Sequence, residues 1–148
     1  MTDSDQFMSN QDSPLTDNPL LDLSGLPRFR QIKPSLVEPA LDVVLHQHRL
    51  QVQALESQAD DAGWESFAEP LQDMEEQLER VWSPVSHLNA VRDSQELRTA
   101  VDACLPKISA FQSEVGQNRA LYRGYHRIAD SSGFTGLSAA RRKVVQNA

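Results

Sequence analysis

Trp64-Glu-Ser-Phe67-Ala-Glu-Pro70-Leu71-Gln-Asp-Met74-Glu-Glu-Gln-Leu78-Glu-Arg-Val81-Trp82 is the stretch that decides the fold class. At 100° per residue its apolar positions 64, 67, 71, 74, 78, 81 and 82 fall within about 100° of arc, the stripe of a helix facing a core. The acids Asp73, Glu75, Glu76 and Glu79 lie off that stripe. Pro70 fits such a helix only near its start, or as a kink. Two further stripes flank it. Upstream run Leu41, Val44, Leu45, His48, Val52 and Leu55. Downstream run Leu97, Ala100, Val101, Cys104, Ile108, Phe111 and Val115, with Ser94 placed as the N-cap and Pro106 expected to kink the helix. Gly116 and Asn118 interrupt the pattern before Leu121, Tyr122, Tyr125 and Ile128 resume it. Asp130 to Gly136 reads as a loop, and Ser138 caps a last helix running to Ala148 without a stop signal. No period-two alternation and no Asn-Gly or Asp-Gly turn is present. The expectation is an all-α chain, an irregular helical bundle.

Outward from these stripes, residues 1–17 are rich in Asp, Ser, Asn and Gln and read as a disordered acidic leader, leaving 18–148 as the helical region. Between Asn18 and Pro39 the chain is apolar but punctuated by Pro19, Gly25, Pro27, Pro34 and Pro39. That spacing predicts an extended segment lying against another surface. Its apolar set includes Leu20, Leu23, Leu26, Phe29 and Ile32. Trp82-Ser-Pro84-Val-Ser86-His87-Leu-Asn89 is the most distinctive local text. It reads as a structural corner after the second helix, with Pro84 opening a further short helix; a ligand site is the rival reading.

Length and charge narrow the class. The chain has 148 residues, 39% hydrophobic and 24% charged, which suits one domain. No run of 18 apolar residues exists, so no transmembrane helix is expected. The single cysteine, Cys104, forms no internal disulfide, and the start carries neither a secretory signal nor an Arg-rich transit peptide; the expected location is cytoplasmic. The formal net charge is -7, with six bases against one acid confined to residues 119–148. An acidic chain argues against a nucleic-acid partner, and Arg141, Arg142 and Lys143 read as the solvated face of a terminal helix.

Chemistry-bearing residues do not assemble into a site on spacing. His46 and His48, two apart on a helix, point about 200° from each other and cannot share an ion. A zinc helix needs histidines four apart with a glutamate beside the first, and the histidines here are His46, His48, His87 and His126. His48 is expected at the core edge and His46 in solvent. Ser86 and His87 are adjacent and lack a third orienting group. Cys104 lies on an apolar stripe as a small hydrophobe. Glu75, Glu76, Asp60 and Asp61 read as solvated acids. Catalytic, cofactor-binding and metal residues are all expected to be none in this chain.

A resemblance supplies what spacing does not. Asn18-Pro-Leu-Leu21, Leu26-Pro-Arg-Phe29, Ile32-Lys-Pro34 and Val37-Glu-Pro-Ala40 resemble the N-terminal segment of the oligopeptidase A-like branch of the thimet oligopeptidase family, zinc metallopeptidases. Trp64-Glu65, Pro70-Leu71, the block 82–89, Glu96-Leu-Arg98, Leu105-Pro106, Gly116-Gln117, Leu121-Tyr122 and Asn147-Ala148 continue it in order, over about 18–148. The resemblance implies the N-terminal helical lobe of a two-lobed, almost wholly helical peptidase whose channel admits only short peptides. It implies zinc in the full-length parent enzyme, held later in the chain by a His-Glu-x-x-His helix and a further glutamate, with no zinc or other cofactor bound here. The implied partners are the remainder of the peptidase chain and, in the intact enzyme, short peptides. On that reading the chain is truncated at Ala148 and inactive alone. The alternatives are a stand-alone helical interaction module and an autonomous enzyme with an unrecognised site.

Overall fold

Helix α1 (Pro34–Glu56) starts where proline is cheapest. At the first helical position the missing N–H of Pro34 has no intrahelical acceptor to lose, and its φ is already helical. Pro39 then lies inside the helix, so the extended segment expected to reach residue 39 ends at Lys33. The correction has an energetic cause. An interior proline costs roughly 3 kcal/mol, whereas Val37, Ala40 and Leu41 are each no more than 1% exposed. Burying one Val or Leu recovers about 1.5–3 kcal/mol, so the buried face outweighs the one bond denied to the Ser35 carbonyl.

The computed structural model describes residues 17–92 and 94–148, so the expected leader, apart from Asp17, lies outside them. A short 3₁₀ turn (Ala59–Asp61) follows α1, and a wide π-type turn (Trp64–Ala68) runs into α2 (Glu69–Val91). Pro70 takes the second position of α2, where its missing donor costs little. The corner expected at 82–89 does not form: α2 passes through Pro84 to Val91 without a break. Val81, Val85 and Leu88 continue the apolar stripe and are at most 6% exposed, which holds the helix past the carbonyl that Pro84 leaves unpaired. Helix α3 (Gln95–Gly116) is likewise continuous across Pro106. Ser94 Oγ accepts from Leu97 N–H at 3.2 Å, the expected N-cap.

Gln117 and Asn118 separate α3 from α4 (Arg119–Ala129). Asn118 Oδ1 accepts from the amides of Ala120 and Leu121 at 3.0 and 3.1 Å. Ser138 Oγ accepts from Arg141 N–H at 3.2 Å and opens α5 (Ala139–Asn147). All of the helices carry apolar residues inward, and among the described residues there is no strand. None of these helices is long and apolar enough to cross a membrane.

Two apolar clusters form. The first joins Val37 to Leu45 of α1, Leu78 to Leu88 of α2 and Leu97 to Phe111 of α3, so α1 and α2 run antiparallel. The second joins Val52 and Leu55 of α1, Trp64 to Met74, Leu121 and Ile128 of α4, and Val145 of α5. Lys107 reaches Glu38 at 2.8 Å and Asp42 at 2.6 Å, and Arg49 grips Glu114 through two bonds of 2.8 and 3.0 Å. These pairs rise together along both helices, which makes α1 and α3 parallel.

Phe67, fully buried, packs its ring onto the backbone of Gly124 in α4. A Cβ at Gly124 would come within 2.7 Å of three carbons of that ring. Gly124→Ala therefore overpacks the second cluster and is expected to lower stability by about 1–3 kcal/mol. Gly116→Ala, with nothing within 4 Å of its Cβ position, leaves stability unchanged or slightly higher. Denaturant midpoints of the two variants check this; equal midpoints would contradict the packing described.

Candidate functional site

Each chemistry-bearing residue has a definite place. His48 is 1% exposed, deeper than the core-edge position expected of it, because α3 covers it with Phe111 (ring centroids 5.9 Å apart). Its Nε2 lies 2.9 Å from Gln77 Oε1 of α2, while no protein group among the described residues meets Nδ1. His46 faces solvent on the opposite side of α1. Ser86 and His87 are both exposed, and the His87 ring packs against Phe29 with centroids 5.6 Å apart. His126 Nδ1 pairs with Asp130 at 2.9 Å. Cys104 is fully buried, and burial, then the Glu38 carboxylate, pushes its thiol up to about 11, the opposite of a reactive thiolate.

Among the described residues no three His, Cys, Asp or Glu side chains come together to hold a metal. The histidines do not fit the zinc that the family resemblance implies. Two face opposite ways from one helix, one of them is engaged on Nε2 by a glutamine amide, and the others sit on separate helices.

The concave feature that stands out is a groove of about 510 Å³ between residues 19–32 and the C-terminal half of α2. The extended segment 18–33 forms its outer wall as a strap. Asn18 Nδ2 donates to the Leu36 carbonyl at 2.8 Å, and Asn18 Oδ1 accepts from Leu20 N–H at 3.1 Å. Asp22 accepts from Ser24 at 2.5 Å and from Arg28 at 3.0 Å, while the Arg80 guanidinium donates to the Leu23 carbonyl. Leu20 and Ile32 are buried at the two ends, yet Leu26 between them is 91% exposed. The inner wall is Ser83, Pro84 and His87, so the distinctive 82–89 text lies on a helix and lines this groove. Composition marked the strap as needing a surface. It carried no signal that α2 would be that surface, since the clasp runs through one arginine to a backbone carbonyl.

With this geometry in view, residues 41–148 match the family model for the neurolysin/thimet oligopeptidase N-terminal domain. The chain belongs to that family. Oligopeptidase A of Haemophilus influenzae is 41% identical over 130 residues, covering 88% of this chain and 19% of that protein. An Arabidopsis thaliana relative described as "Probable cytosolic oligopeptidase A" is 32% identical over 139 residues, covering 94% and 20%. A second, "Organellar oligopeptidase A, chloroplastic/mitochondrial", is 32% identical over 135 residues, covering 91% and 17%. The chain thus spans about a fifth of the length of the curated relatives it matches. A match of 130 residues cannot fit within 41–148, so the likeness to this oligopeptidase family takes in the strap as well.

Three exposed carboxylates mark where this domain is sensitive to acid. The Arg49 guanidinium, by its hydrogen bonds and then its charge, holds Glu114 below its ordinary 4.5. The backbone amide of Glu96 and the Ser94 hydroxyl do the same for Glu96 at the start of α3, and Ser24 for Asp22. A carboxylate whose folded pKa is depressed stabilises the fold above its unfolded value, and that contribution is lost as pH falls toward the folded one. The thermal midpoint is expected to be flat from neutral pH down to about 5.5 and to fall as pH drops through 4.5. Glu114→Gln should flatten part of that fall; an unchanged slope would contradict the Arg49–Glu114 coupling.

Proposed function

We propose that this chain is the N-terminal helical region of an oligopeptidase A-like zinc metalloendopeptidase that hydrolyses short peptides in the cytoplasm, and that the chain hydrolyses nothing by itself. In this reading residues 18–148 form the helical region and 1–17 an acidic leader. The observation that carries it is the match to Haemophilus influenzae oligopeptidase A, 41% identical over 88% of this chain but only 19% of that protein. The residues agree. Peptide hydrolysis of this class needs two histidines four apart on a helix with a glutamate between, and none of His46, His48, His87 and His126 stands in that relation to another. Cys104 is a buried thiol, and Ser86 and His87 both face solvent from one helix with no orienting carboxylate.

The role left to these residues is to wall and pack. Leu50, Val91, Leu105 and Tyr122 are 54%, 63%, 46% and 61% exposed, apolar side chains suited to the company of further chain. The plant relatives are described as cytosolic in one case and organellar in the other; the cytoplasmic assignment follows the first and is in keeping with the free thiol of Cys104.

A fluorogenic short peptide separates the possibilities. The purified 148-residue chain should leave it uncleaved with or without added zinc, whereas the long native polypeptide should cleave it and lose that activity to a chelator. Chelator-sensitive cleavage by the 148-residue chain alone would overturn the proposal.

A further inference from the structure

We propose that the groove between the strap and α2 is an internal docking seat, filled in the long polypeptide by an apolar helix face from the remaining four fifths of the peptidase. The inference rests on the reading above and names the surface through which the region attaches. Three observations carry it. The strap is preorganised: the Asn18, Asp22–Ser24–Arg28 and Arg80 bonds clasp it along its length, and Phe29 packs against His87. That clasped loop nevertheless holds Leu26 91% exposed beside an open apolar channel of about 510 Å³. A segment pinned at this cost in ordering and still unburied is matched to a surface it meets elsewhere.

The chemistry selects the occupant. The groove's own polar groups are already engaged, Leu23 O by Arg80, and Asp22 by Ser24 and Arg28. An extended free peptide needs free backbone donors, acceptors or a sheet edge to receive its unpaired amides. This site, bounded by a helix and a clasped strap, offers neither. A helix arrives with its backbone satisfied and needs only apolar side-chain complementarity, which Leu26, Pro27, Phe29 and Pro84 supply. The likeness to oligopeptidase A of Haemophilus influenzae includes the strap, while this chain spans 19% of that protein, so the partner surface belongs to the same polypeptide. Being covalently linked, it docks at high effective concentration.

Thiol labelling tests this. Leu26→Cys in the long native polypeptide places a thiol at a position that no core contact requires, and Cys104, buried and pushed up to about 11, stays silent. The labelling rate by a maleimide, read on the peptide containing residue 26, is compared with that of a free synthetic peptide of residues 20–32 bearing the same substitution. Slowing by about tenfold or more, unchanged on dilution, is expected for a docked groove. A rate within about tenfold of the free peptide would overturn the inference. Protection that disappears on dilution would assign the groove to a second copy and overturn it equally. Peptidase activity of the same sample reports on the underlying proposal separately. An active Leu26→Cys enzyme whose introduced thiol labels freely sinks the docking seat alone, and an inactive long chain sinks the proposal beneath it.

Discussion

One face of α1 holds this domain together. Val37, Leu41, Val44 and Leu45 build the first apolar cluster and Val52 and Leu55 the second, all from a single helix of 23 residues. His48 sits between them, and its bond to Gln77 ties α1 to the middle of α2 where apolar packing changes hands. Because α2 also serves both clusters in reverse order, the α1–α2 pair is a continuous spine. Helix α3 then closes on one half, and α4 and α5 on the other. Exposed ion pairs such as Lys107 with Glu38 and Asp42 fix the register of α3 on α1, but their side chains are a third or more exposed, so packing and not charge supplies the stability.

The spine explains how prolines are accommodated. Pro34 and Pro70 occupy first-turn positions, where they are nearly free. Pro39, Pro84 and Pro106 lie inside helices, and each denies a bond to one carbonyl. Every one of them is flanked within a turn by side chains buried almost completely: Val37 and Ala40, Val81 and Val85, and Cys104 and Ile108. The apolar stripe overrides the local breaker.

That balance also separates what was legible in the sequence from what was not. The three stripes, the caps at Ser94 and Ser138 and the break at 116–118 follow from periodicity and from short polar side chains, both local signals. The start of α1 and the passage of α2 through Pro84 depended on how deeply Val37 and Val85 are buried, which only the tertiary packing decides. The groove was half legible. A proline-punctuated apolar strap announces that it needs a surface, but Arg80 reaching Leu23 across 57 positions has no local signature. The near-contact of Phe67 with Gly124 is equally long-range, and in sequence Gly124 is an unremarked glycine in a helix.

Taken with the family relationship, a helical spine, histidines that do not fit zinc and a clasped strap with an exposed leucine describe a region built to be part of something larger. The mass of the native polypeptide in source cells, detected with an antibody against residues 18–148, tests this most directly. The predicted result is a band about five times larger than 16.6 kDa, in proportion to the 19% of the relative that this chain covers. A band at 16.6 kDa as the sole product would contradict it and leave a free-standing helical interaction module in its place.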